Sequence, residues 1–148
     1  MKNYQINMAG GMGKFGKDNF DEGNRWRLIF KKRLESCEHM NVKAINPNDY
    51  FSFKQDPPRY ISLREIMEFD LNRVRNADLI IVNFNDMYSL GTMAEIAIAY
   101  ERKIPIIVFN ETNQKLHPWE VEMCNRIFTE THELLDYVEY FYLTEYRW

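Results

Sequence analysis

Two rhythms of apolar and polar residues alternate along this chain. Short runs that are apolar almost throughout occur at Tyr4–Met8, Val42–Ile45, Leu79–Phe84 and Ile104–Phe109, with a more mixed one at Arg126–Thr129. Between them lie stretches with helical spacing: about Asn24–Glu38, Leu63–Asn76, Leu90–Arg102, a segment opened by Pro118, and His132–Tyr142. In the first of these, Trp26, Ile29, Phe30 and Leu34 recur near the 3.6-residue period. Ser62-Leu63-Arg64-Glu65 has the spacing of a capping box and marks the start of the second. Leu79–Phe84 is interrupted only by Asn83, which suits a strand covered on both faces. Strands alternating with helices in this way build βαβ units. The expectation is an α/β fold: a single domain over residues 1–148, with a doubly wound, flavodoxin- or Rossmann-like sheet of five parallel strands and helices on both faces. Ligands in such sheets bind beyond the strand C-termini. The loops Ala9–Gly23, Asn46–Arg59, Asn85–Ser89 and Asn110–His117 are therefore expected to carry the site.

Composition narrows the class. With 148 residues, 45% of them hydrophobic and 28% charged, the chain reads as one globular domain. A net charge of −3 argues against a surface that coats polymeric nucleic acid, while leaving room for a local basic pocket. No stretch approaches the roughly 18 apolar residues of a membrane span, and no signal-peptide run opens the chain, so a cytoplasmic location is expected. Cys37 and Cys124 show no metal or redox spacing and read as reduced thiols. His39, His117 and His132 share no ligand spacing either, so no metal site is expected.

The segment Ser89-Leu90-Gly91-Thr92-Met93-Ala94-Glu95-Ile96-Ala97-Ile98-Ala99-Tyr100 is the most informative. From Met93 to Tyr100 only Glu95 is charged, which reads as a buried helix holding one carboxylate. Burying a carboxylate is costly unless it is paired or has a chemical task. Its place in the second turn lets the helix dipole favour the ionised form. A desolvated anion at the edge of a cleft is suited to attack an electrophilic carbon. The structural alternative is a Glu paired with a nearby Arg.

Three segments carry a resemblance to the nucleoside 2-deoxyribosyltransferase family, including its nucleoside 5′-monophosphate N-glycosidase branch. Ile6-Asn7-Met8-Ala9-Gly10-Gly11-Met12 is similar to the family's first strand and Ala-Gly turn. Asp70-Leu71-Asn72-Arg73-Val74-Arg75-Asn76-Ala77-Asp78-Leu79-Ile80-Ile81-Val82 resembles its Asp-bearing helix running into the third strand. Ser89 to Ala97 resembles the family's Gly-x-x-x-Glu-Leu-Gly segment, with Ala97 where Gly is usual. The resemblance implies Glu95 as a nucleophile that forms a covalent glycosyl-enzyme at the sugar C1′, and Asp70 as the acid or hydrogen-bond partner of the departing base. It places Met8, Gly10, Gly11 and Gly91 among the substrate contacts. It also implies that a neighbouring chain completes each site. The chemistry fits the residues, since a glycosidic bond breaks through an oxocarbenium-like state that a carboxylate stabilises or captures. Such a reaction needs no cofactor. Asp78 reads as structural. Ser89 reads either as an N-cap or as a phosphate contact, and with Lys14 and Lys17 of the glycine-rich loop it tilts the substrate toward 5′-monophosphates. The chain lacks the Arg-Gly-Gly-Arg-like loop of the best-known hydrolases of that branch.

The same glycine loop admits other motifs. Gly11-Met12-Gly13-Lys14-Phe15-Gly16 fits the dinucleotide pattern, and Gly11 to Lys17 fits GxxxxGK. A P-loop needs Ser or Thr next, where Asp18 stands. A dinucleotide fold needs its helix to begin within the glycines, whereas Lys17–Asn24 reads as polar and turn-like. A non-catalytic nucleotide sensor on the same fold is the remaining alternative, and the intact Glu95 argues against it. Finally, Tyr137, Tyr140, Phe141, Tyr142, Tyr146 and Trp148 crowd the C-terminus. That density suggests a homodimer or higher homo-oligomer with the tail at an interface.

Overall fold

The structure, a computed structural model, describes residues 1–11, 20–50, 62–86 and 88–144. Its strands are β1 (Asn3–Gly10), β2 (Asn41–Ile45), β3 (Leu79–Asn83), β4 (Ile106–Phe109) and β5 (Arg126–Phe128). Its helices are α1 (Phe20–Leu34), α2 (Leu63–Arg75), α3 (Leu90–Glu101), α4 (Pro118–Met123) and α5 (Thr131–Phe141). All strand pairs are parallel, in the order β2-β1-β3-β4-β5. This is the doubly wound order whose switch point falls between β1 and β3.

Strand alternation divides the core into two layers. Ile6, Met8, Ile81, Ile107 and Phe109 face α1 and α5, where Phe30, Leu34, Leu134, Leu135 and Val138 meet them. Ala9, Ile80, Val82, Ile106 and Val108 face the opposite side, against Val74 of α2 and Ile96 and Ala99 of α3. β3 is buried at every position, as its apolar run predicts. Ser62 caps α2 by accepting a hydrogen bond from the Glu65 amide. Pro118 opens α4, and His117 and Glu120 close a reciprocal capping box there. Asp78 is structural: its Oδ2 accepts from the Gln5 amide at 2.8 Å and its own amide donates to the Gln5 carbonyl, joining β1 and β3 at their N-terminal end.

Three expectations need correction. β1 continues to Gly10, so the glycine segment begins inside the strand. α1 starts at Phe20 rather than about Asn24 and stops at Leu34, with Asp21 and Glu22 in its first turn, where acidic residues favour the helix dipole. Within it Ile29 faces outward, and the buried stripe is Asn24, Arg27, Phe30 and Leu34. Likewise α3 is not covered all round. Leu90 is 85% exposed and Tyr100 53%, and Gly91, Ala94 and Ala97 lie on the same open side. No helix among the described residues is long and apolar enough to cross a membrane.

Candidate active site

The C-terminal ends of β1 and β3 build the site's floor. Gly11 follows β1, and its amide donates to Asn85 Oδ1 at 3.0 Å while its carbonyl accepts from Asn85 Nδ2 at 3.3 Å. These paired bonds tie the loop after β1 to the loop after β3. A Cβ on Gly11 would stand 2.6 Å from the Asp86 Cβ, so only glycine allows this approach. A Cβ on Gly10 would meet Trp26 at 3.1 Å and the Asn83 carbonyl at 3.2 Å. Met8 is fully buried in the core, with its carbonyl turned to Arg27, so its side chain lies away from the open surface.

Helix α3 rises from the loop after β3. Ser89 is its N-cap: Oγ accepts from the Thr92 amide at 3.3 Å and from the Thr92 hydroxyl at 2.9 Å. The capping alternative is thus realised in the geometry, and Ser89 remains half-buried beside the free end of the helix. Gly91 is exposed, with open space where a Cβ would be. Lys14 and Lys17 lie outside the described residues.

Glu95 and Asp70 come from different helices, α3 and α2, and the structure brings their charges into range of each other. Each residue is half-buried, yet Glu95 Oε2 and Asp70 Oδ1 are both shielded from solvent without a hydrogen-bond partner. A buried polar atom without a partner is uncommon, and it calls for an explanation. Burial pushes the Glu95 carboxyl up to about 8, with a further push from the Asp70 charge and an opposing pull from Arg27. Burial likewise pushes Asp70 up to about 6, against Arg27. Desolvation therefore outweighs the dipole of α3 at Glu95, contrary to the expectation of a readily ionised side chain. Two interacting carboxyls titrate as a pair. Near neutrality this pair holds one proton, so one acid and one anion are present together.

Arg27 of α1 is the residue that the sequence reading missed. It is 2% exposed. Its Nη2 donates to the Gly10 carbonyl at 2.9 Å, its Nε donates to the Met8 carbonyl at 3.3 Å, and its guanidinium lies 4.8 Å from the Trp26 ring centroid. Its Nη1 is buried and unpartnered. Burial lowers its pKa to about 10, while the Glu95 and Asp70 charges raise it, so it stays a cation at neutral pH. The signal was present in the sequence, because Arg27 falls three residues before Phe30 and seven before Leu34, on the buried stripe.

Among the described residues no group of three His, Cys, Asp or Glu side chains is placed to hold a metal ion. The aromatic residues of α5 largely serve their own core: Tyr142 is buried, and Tyr137 stacks on Phe141 and meets Phe128 with centroids 5.3 Å apart in each case. Tyr140 stands out at 81% exposure. Tyr146 and Trp148 lie outside the described residues.

Comparison with known proteins identifies the family and the fold. Residues 16–136 match the family model described as nucleoside 2-deoxyribosyltransferase. Among solved structures, a conserved protein from Enterococcus faecalis V583 superposes with a TM-score of 0.72 at 15% identity, over 93% of this chain and 98% of that one. A 2-deoxyribosyltransferase from Bacillus psychrosaccharolyticus gives 0.68 at 15% identity, over 90% and 91%. The CMP N-glycosidase BcmB of Clostridium botulinum gives 0.57 at 15% identity, over 91% and 98%. No curated protein matches the chain.

Proposed function

The chain belongs to the nucleoside 2-deoxyribosyltransferase family, enzymes that act on the glycosidic bond of nucleosides, and we propose that it works through a covalent glycosyl-Glu95 intermediate. The observation that carries this reading is the pair of carboxyls, Glu95 on α3 and Asp70 on α2, each with a buried oxygen that has no hydrogen-bond partner. Such a pair costs stability, and it supplies the acid and the nucleophile that glycosidic cleavage requires. Near neutrality the pair's proton rests on Glu95, so in the first step it passes to Asp70, and a Glu95 oxygen bonds to C1′ as the C1′–N bond breaks. The electron pair leaves with the base, and Asp70 gives it a proton. In the second step water or another base attacks C1′, the ester to Glu95 breaks, and a proton from the attacking group returns to Asp70.

The substrate is a nucleoside or its 5′-monophosphate, with the monophosphate favoured. Ser89 and the amides at the start of α3 offer a phosphate an ordinary helix N-terminal setting, and Lys14 of the glycine-rich loop is the cation that the sequence offers for it. Met8, Gly10, Gly11 and Gly91 contribute as backbone and as space for the substrate rather than as reactive side chains. The chain acts without a cofactor, in the cytoplasm, as a homodimer or larger homo-oligomer. The exposed apolar side of α3, from Leu90 to Tyr100, supports self-association next to the site, together with exposed Met67 on α2 and Trp119 on α4.

The test is product analysis over a panel of nucleosides and 5′-monophosphates, with and without an acceptor base. Release of free base, together with a glycosyl adduct on Glu95 trapped by mass spectrometry, is the expected result. Turnover by the Glu95→Gln variant would overturn it.

A further inference from the structure

Two buried hydrogen-bond donors stand without a partner at the end of β1: Arg27 Nη1 and Trp26 Nε1, on adjacent residues of α1. Their side chains are held in place. The Met8 and Gly10 carbonyls take the other two guanidinium nitrogens, and the Arg27 Cζ lies 4.8 Å from the Trp26 ring centroid. Trp26 in turn meets Phe30 edge-on, with centroids 5.3 Å apart. A Cβ on Gly10 would stand 3.1 Å from Trp26 Cζ2 and 3.4 Å from Arg27 Nη2, so glycine lets both side chains close on the strand end. Trp26 is half-buried, so its ring meets solvent although Nε1 does not. Indole and guanidinium only donate, and neither can satisfy the other. Carbonyl oxygens, not a carboxylate, hold Arg27. A cation and an indole N–H are thus left together without an acceptor, which the fold itself does not need.

Strand order indicates what the two donors meet. α2 joins β2 to β3, the strands that flank β1, so it passes over β1, and the Gln5 side-chain amide ties the two by donating to the Arg73 carbonyl. Asp70 therefore belongs to the β1 side, whereas α3, with Ser89 at its start and Glu95 within it, leads from β3 to β4. A nucleotide with its phosphate at Ser89 and its C1′ at Glu95 sends its base toward Asp70 and the end of β1. We propose that Arg27 Nη1 and Trp26 Nε1 receive the carbonyl oxygen that a pyrimidine carries beside its glycosidic nitrogen, and that the substrate is a pyrimidine nucleoside or its 5′-monophosphate. The proposal rests on the reading of Glu95 as the residue that meets C1′. As the C1′–N bond breaks, its electron pair passes to the base and spreads onto that oxygen. The two donors hold the developing charge, and Asp70 gives the ring nitrogen its proton. Hydrogen bonds that strengthen as charge develops raise kcat rather than merely lowering KM. A purine presents only a ring nitrogen at that place and matches the pair less well.

The test reads Trp26 directly, by NMR of the 15N-labelled full chain carrying Glu95→Gln to prevent turnover. Its indole resonance is assigned with Trp26→Phe or, by elimination, with Trp119→Phe and Trp148→Phe. The resonance should move on addition of the 5′-monophosphates of uridine, cytidine and their 2′-deoxy forms. It should stay in place with ribose 5-phosphate and with adenosine 5′-monophosphate. A shift of equal size with ribose 5-phosphate would put sugar or phosphate at the donors and overturn the proposal. An equal shift with the purine nucleotide, or no shift with any pyrimidine nucleotide, would overturn it too. Kinetics of the parent supply a second readout. Trp26→Phe keeps a ring and removes the donor, so kcat for the uracil nucleotide should fall about tenfold with little change in KM. The loss should be smaller for the 5-fluorouracil nucleotide, whose base departs more easily, and equal losses would refute a bond to the leaving base. Base released by Glu95→Gln would instead refute the covalent mechanism while leaving the Trp26 result intact, so the two ideas fail separately.

Discussion

Replacing Glu95 by Gln should make the protein more stable at alkaline pH, even as it removes activity. In the folded chain the Glu95 carboxyl is pushed up to about 8 from its ordinary 4.5. Between those values the folded state keeps a proton that the unfolded chain has released, so stability falls as pH rises through the window. Below about 4.5 both states are protonated and no penalty exists. Above about 8 the folded chain must carry the anion. At about 1.4 kcal/mol per tenfold, the gap corresponds to roughly 5 kcal/mol. Part of it comes from the Asp70 charge, whose own protonation overlaps the window, so about 3 kcal/mol is the figure to expect. For a chain of this size that is on the order of 6–12 °C in Tm. Gln cannot ionise, and any fixed cost of its buried amide is the same at every pH. Thermal unfolding of both proteins from pH 5 to 9.5 therefore gives a difference curve in which only the ionisation appears. Glu95→Gln should gain on the parent steadily across neutrality. Parallel curves would refute the claim that burial holds this carboxyl protonated. In the same variant, residual turnover above about one per cent would remove the covalent role, since losing a nucleophile should cost several kcal/mol of barrier.

Asp70→Asn should lower kcat/KM well over tenfold by removing the proton for the leaving base, and a near-parental value would remove Asp70 from the acid's role. Ser89→Ala should cost about 1 kcal/mol by uncapping α3 and should erase the preference for a 5′-monophosphate over its nucleoside, measured by competition. Gly11→Ala forces the loops after β1 and β3 apart, since its Cβ would sit 2.6 Å from that of Asp86, so KM should rise with a stability loss of roughly 1–3 kcal/mol. Ala97→Arg, on the open side of α3, should reduce the assembly seen by light scattering, and a full-length parent that is monomeric with normal activity would eliminate the shared interface.

Much of this architecture is legible in the sequence for simple reasons. β3 reads cleanly because both of its faces are covered, so nothing breaks the apolar run. α2 and α4 announce their starts through Ser62 and Pro118. α1 is harder, because Gly23 in its first turn is a weak helix former and reads as part of the glycine loop, although Asp21 and Glu22 beside it suit a helix N-terminus. Glu95 is conspicuous as one charge in an apolar helix, yet that helix is apolar on its open side too, so pattern alone misjudges which face is covered. Asp70 sits among other charges in Glu68-Phe69-Asp70 and could be selected only by resemblance. Arg27 is concealed by Trp26, Leu28 and Ile29, which invite a core face that the helix turns elsewhere. Pairings such as Gly11 with Asn85, 74 residues apart, depend on strand order, which spacing does not encode.

Arg27, Asp70 and Glu95 make most sense together. A lone buried carboxyl would simply stay protonated and be useless as a nucleophile at neutral pH. Two carboxyls without a cation would repel each other and hold their protons more tightly still. A lone buried guanidinium would leave Nη1 unsatisfied with no return. Combined, Arg27, Asp70 and Glu95 retain one proton on two carboxyls, opposite one fixed positive charge. That is the composition needed before an oxocarbenium-like centre forms between an anion and an acid. Arg27, on α1, is held by the carbonyls of Met8 and Gly10 rather than by either carboxyl. The orphaned Oε2 of Glu95 and Nη1 of Arg27 are two buried polar atoms without a partner, a cost to the fold that asks for a chemical reason.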